Sequence, residues 1–114
     1  MSKLSEMKCE ACRSDAPKVT ADEAREWLEQ IQDWTMHEVD DVDRLTREFS
    51  FKDFAGSLAF TNKVGELAEQ EGHHPQIVLE WGQATVSWWT HAINGLHQND
   101  FVLAARTDDI YNQG

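Results

Sequence analysis

The chain has 114 residues, a formal net charge of −11 and 40% hydrophobic residues, among them five Trp and five Phe. That length makes a single domain, and the composition is globular rather than disordered. The acidic balance excludes direct binding to a nucleic-acid backbone, which needs clustered Lys and Arg, and no apolar run approaches the roughly 18 residues of a membrane span.

Residues 1–19 are polar and aperiodic, and read as a flexible N-terminal arm ahead of one domain at 20–114. The arm has no apolar run of signal-peptide length, so a cytoplasmic location is expected. Cys9-Glu10-Ala11-Cys12 is a C-x-x-C. Read sharply, it is half a zinc site or a redox pair. No second ligand pair accompanies it and no strand precedes it, so an incidental thiol pair is the better reading and no metal is expected.

Thr20-Ala21-Asp22-Glu23 has the form of a capping box. Ala24, Trp27, Leu28 and Ile31 follow at helical spacing, which predicts a first helix running to Asp33-Trp34 with Trp34 in the core. Met36–Val39 and Leu45–Phe51 read as strands joined by an acidic turn at Asp40-Asp41. Arg47 shares parity with Leu45, Phe49 and Phe51, which suggests a place near an edge, and His37 reads as a surface histidine.

Asp53 is a good N-cap for a longer helix reaching Glu69 or Gln70. Phe54, Leu58, Thr61, Val64, Gly65 and Ala68 form its expected apolar face, with Gly56 and Gly65 packed close to the sheet. Gly72 closes it. Ile77–Trp81 and Gln83–Thr90 form a second strand pair turning near Gly82. Ala84, Val86 and Trp88 share one face; Trp89 lies on the other and is a candidate subunit contact, or is partly buried under a loop. A last helix starts near Asp100 with Asn99 as its cap, leaving His97 in a loop. The order α-β-β-α-β-β-α predicts an α+β domain, one four-stranded antiparallel sheet with three helices on one face.

Residues 69–100 hold four of the five histidines. Proline after His73-His74 favours extended backbone there, and a hairpin turning near Gly82 returns His91 towards that pair. Histidine exchanges protons near neutrality. Three histidines with Glu69 and Asp100 at element ends therefore point to proton-transfer chemistry at one edge of a sheet.

Glu69, three residues, His73-His74-Pro75, five residues, Trp81, nine residues, His91 and then Asp100 match term by term the signature of a known family. In this the chain resembles the pterin-4a-carbinolamine dehydratases, also known as dimerisation cofactors of a homeodomain transcription factor, and is most similar to bacterial members. The resemblance implies dehydration of 4a-hydroxytetrahydrobiopterin to quinonoid dihydropterin, a hydro-lyase step that recycles the cofactor of aromatic amino-acid hydroxylases. It implies a pterin substrate with no cofactor of the enzyme's own, a homodimer or homotetramer, and a phenylalanine hydroxylase as possible partner. On this reading His73 and His91 are the acid and base, and His74 orients the ring. Glu69 and Asp100 position histidines, and Trp81 shapes the pocket wall. A non-catalytic coactivator on the same fold is the rival. A metal site at His73, His74 and His91 is disfavoured, because adjacent histidines chelate one ion poorly.

Overall fold

A computed structural model describes residues 18–113. Cys9, Cys12 and Pro17 lie outside the described residues. The elements run α1 (Ala21–Leu28), β1 (Thr35–Val39), β2 (Val42–Ser50), α2 (Phe54–Glu71), β3 (Gln76–Glu80), β4 (Gln83–Trp88), a 3-10 turn (His91–Ile93) and α3 (Gln98–Gln113). The four strands form one antiparallel sheet in the order β1-β2-β4-β3. This is the α+β arrangement that the pattern of elements predicts.

The caps fall where their chemistry requires. Thr20 accepts from the Glu23 amide and Glu23 reaches back to the Thr20 amide, so the capping box forms. The helix stops at Leu28 rather than near Trp34. Beyond it, the amides of Gln30, Ile31 and Trp34 bond three residues back, so the chain leaves the helix in successive turns while Ile31 and Trp34 still reach the core. The β1–β2 loop is Asp40-Asp41, both at positive φ (52° and 64°), the geometry a two-residue hairpin needs. That tight turn lets β2 start at Val42, earlier than Leu45.

Leu45, Phe49, Ala84, Val86 and Trp88 face the helices and are fully or almost fully buried. Arg47 shares that side but not an edge, since β2 is an inner strand. Its guanidinium lies over the Phe49 ring and bonds Asp108 on α3 at 2.7 Å, so its charge is met inside the layer. Asp108 also accepts from the Trp34 indole at 2.8 Å. Burial pushes the Asp108 carboxyl above its usual range; the Trp34 and Arg47 hydrogen bonds and the Arg47 charge pull the other way, and Asp33 adds to the rise.

Asp53 caps α2 by accepting from the Gly56 amide. The buried stripe of α2 is Ser57, Phe60, Val64 and Ala68, whereas Phe54 and Leu58 are exposed. The helix is thus rotated from the expected face. Phe60 is held in a ring cluster with Phe49, Phe51 and Tyr111, which offers more aromatic contact than Leu58 would find. Gly65 is not a close-packing position: a side chain added there would meet nothing. At Gly56 an added Cβ would meet Asp53 and Phe51, the helix's own cap and entry, rather than the sheet as a whole. Among the described residues no helix is long and apolar enough to cross a membrane.

Candidate active site

The end of α2 sets the site. Gly72 takes a left-handed conformation (φ 62°), with its amide on Glu69 and the next amide, His73, on Ala68. This pair of bonds ends a helix by turning the chain sharply back. The turn drives the His73 side chain inwards, and Pro75 then commits the chain to extended backbone leading into β3. Arg106 on α3 bonds Glu71 at 2.6 Å and ties this corner to the last helix.

His73 is buried, 4% exposed, and its ring lies parallel to Trp88 within 24° at 5.8 Å between centroids. Its Nε2 is 2.7 Å from Asp100 Oδ1. The other Asp100 oxygen accepts from the Thr90 hydroxyl at 2.7 Å and the His97 amide at 2.9 Å. His97 is itself buried, and its Nδ1 accepts from the Asn99 amide. His97, not Asn99, therefore caps α3, and it is not a free loop residue. Asp100 lies in the first turn, where its charge favours the helix N-terminus, and the same carboxylate bonds the His73 imidazole.

His74, the next residue, is exposed, and its Nε2 lies 2.7 Å from Glu69 Oε1, also exposed. Glu69 sits in the last turn of α2, as the helix length predicts. A groove of about 780 Å³ runs past Glu69 along α2 and β3, lined by Thr61, Asn62, Gly65, Glu66, Gln70 and Ile77 as well.

β4 ends at Trp88, and an isolated bridge from Thr90 to Gly95 closes the following loop. His91 starts the 3-10 turn and is exposed, its ring 4.6 Å from that of Trp89. Trp89 is only 9% exposed, so it is not an open subunit-contact surface. Gln76 pairs with Ser87, which places His73, His74 and His91 just beyond one end of the β3–β4 hairpin.

Trp81 lies in the turn at the other end, after the Glu80–Gln83 pair, and is 71% exposed. The five residues of β3, at about 3.3 Å each, separate it from the histidine end. Within one chain, Trp81 and the histidines therefore stand at opposite ends of the hairpin. Trp88, fully buried, stacks on His73 beneath this end of the hairpin; its burial was legible in its alternation but the stacking was not. His37 is exposed and bonds Thr46 at 2.7 Å, as a surface histidine does.

Among the described residues no three His, Cys, Asp or Glu side chains cluster as a metal site requires. The arrangement offers instead two histidine–carboxylate pairs, one buried and one exposed, and a third imidazole, exposed, beyond the same end of the hairpin. Imidazoles so placed can serve as general acids and bases.

Comparison with known proteins agrees with the motif. The model of the family described as pterin 4 alpha carbinolamine dehydratase matches residues 17–110. A protein of Marinobacter nauticus is 54% identical over 97% of this chain and all of its own length. One of Saccharophagus degradans is 55% identical over 97% of this chain and 98% of its own. Both are named, provisionally, as pterin-4-alpha-carbinolamine dehydratases. Among solved structures, a transcriptional coactivator/pterin dehydratase from Brucella melitensis superposes with a TM-score of 0.75 at 29% identity, over 83% of this chain and 99% of that one. A pterin dehydratase-like RuBisCO assembly factor of the alpha-carboxysome shares the fold at a TM-score of 0.59 and 24% identity, over 68% of this chain and 88% of that one.

Proposed function

The chain belongs to the pterin 4 alpha carbinolamine dehydratase family, and from that premise we propose that it is a hydro-lyase that dehydrates 4a-hydroxytetrahydrobiopterin to the quinonoid dihydropterin by histidine acid/base catalysis. The reaction breaks the C4a–O bond. One proton must reach the departing hydroxyl, which leaves as water, and one must come off N5 as the C4a–N5 double bond forms. Two positioned general acid/base groups each contribute about 10²–10⁴-fold.

The observation that carries this reading is the split between the paired histidines. His74 and His91 are exposed at one end of the hairpin, where a flat heterocycle can reach them, and they take the two proton transfers. Glu69 orients His74. His73, enclosed between Trp88 and Asp100, holds the floor of the site. This differs from the expectation that His73 acts with His91, because a ring 4% exposed and bonded to a buried carboxylate is poorly placed to meet substrate. The product would rejoin the cofactor pool of an aromatic amino-acid hydroxylase such as a phenylalanine hydroxylase, in the cytoplasm. A homodimer or homotetramer belongs to the same proposal; β3 is an edge strand with Val78 half exposed, and such edges favour association.

The test is dehydration of synthetic carbinolamine by the purified protein in EDTA. Turnover that persists with chelator and falls at least about 10²-fold in His91→Ala supports the proposal. Turnover unchanged in that variant overturns the role given to His91, whereas no turnover by the wild-type protein overturns the enzyme and favours the non-catalytic coactivator reading that the Brucella relative's name also carries.

A further inference from the structure

This inference rests on the dehydratase reading and concerns how His91 is held. His73 and His74 each have a carboxylate at 2.7 Å. His91 has no hydrogen-bonded carboxylate among the described residues. Its ring leans on Trp89 at 50°, and its backbone belongs to a three-residue turn closed by Asn94 in a left-handed conformation (φ 48°). So short a turn fixes an imidazole loosely.

Trp89 is covered on its face by Arg44, whose guanidinium carbon lies 3.9 Å from the ring centroid. The strand register explains the meeting. Leu45 stands opposite Trp88 at the end of the ladder, so Arg44 and Trp89 are the next residues of the two segments beyond it. A guanidinium over an indole is an attractive, geometrically defined contact. Arg44 also bears a cost: its Nε is buried with no hydrogen-bond partner. A buried orphan donor calls for a reason, and here the stack over Trp89 supplies it.

We propose that Arg44 and Trp89 are positioning residues for His91. Arg44 pins the indole flat, and the indole sets the tilt of the imidazole towards the pterin. The stack does for His91 what Asp100 and Glu69 do for its two companions, without a negative charge beside the ring. Orientation of this kind counts because proton transfer needs the ring within hydrogen-bond reach of the reacting atom.

The experiment compares wild type, His91→Ala, Arg44→Ala, Arg44→Lys and Trp89→Phe in steady-state dehydration, and follows the His91 ring resonances by NMR, assigned through His91→Ala. Arg44→Ala is expected to lower kcat roughly tenfold, an orientation loss, with KM changed less than about twofold. The His91 ring protons should lose the upfield shift that Trp89 imposes. Arg44→Lys, which keeps a cation over the indole, should recover part of both, and Trp89→Phe should fall between. Unchanged kcat and unchanged His91 resonances in Arg44→Ala would overturn the proposal. So would a raised KM at constant kcat, which would make Arg44 a direct substrate contact. Should wild type not dehydrate the carbinolamine, the enzymatic reading fails by itself, and the resonances still decide whether Arg44 holds the His91 ring. Arg44→Lys and Trp89→Phe keep the question open to measurement if Arg44→Ala does not fold.

Discussion

His73 and His74 are adjacent in the chain and each sits 2.7 Å from a carboxylate, yet one pair is sealed in the core and the other stands in solvent. The same chemical pairing therefore has two meanings. In the core, Asp100 bonds an imidazole, a hydroxyl and a backbone amide together, and removing it takes a partner from each. At the surface, Glu69 and His74 are screened by water, so their bond orients more than it stabilises.

Stability measurements can break that comparison. Asp100→Ala should cost about 3–5 kcal/mol, as for one partner of a buried pair; by thermal unfolding the domain melts far below wild type or fails to fold. Glu69→Ala should cost under about 1 kcal/mol while lowering turnover. Equal losses in the two variants would erase the distinction.

Gly72 is the hinge that sends the neighbours to opposite environments, and its φ of 62° suits glycine. Gly72→Ala meets no atom but forces the left-handed region, so a loss of about 1–2 kcal/mol is expected. Urea unfolding would measure it, and a falling kcat alongside would show that the turn also aims the histidines.

A smaller effect is expected at Asp108. Its folded pKa is raised, mainly by burial, so the folded state holds this proton more tightly than the unfolded chain. Its contribution to stability is thus greatest at low pH and declines as pH rises from the ordinary aspartate range through the raised folded value. Asp108→Asn removes that decline, and should leave stability near neutral pH within about 1 kcal/mol of wild type because an amide oxygen can still accept from Trp34. A stability–pH profile of the two proteins, with a wild-type slope absent in the variant, is the check.

Much of the fold was legible because it is encoded locally. The Thr20–Glu23 box, the Asp53 cap, the Gly72 stop and the strand alternation each involve residues a few positions apart. What was not legible depends on partners distant in sequence. The face of α2 was misjudged because Leu58 and Phe60 offered competing stripes, and the aromatic cluster that selects Phe60 comes from β2 and α3. Arg47 looked like an edge residue because Asp108 lies a whole sheet away in sequence. In the site, the His-His-Pro run and Asp100 announced themselves by spacing. The burial that separates His73 from His74 did not, since it follows from a turn and a helix docking together. Trp81 fitted the spacing, but spacing does not say that it stands at the opposite end of the hairpin from the histidines of its own chain.

The most direct test of the division of labour is kcat for carbinolamine dehydration in His74→Ala, measured beside its melting temperature. The exposed-histidine account predicts turnover lower by about 10² or more with a melting shift of no more than about 4–8 °C, the equivalent of one kcal/mol. Turnover equal to wild type in a folded His74→Ala protein would contradict it.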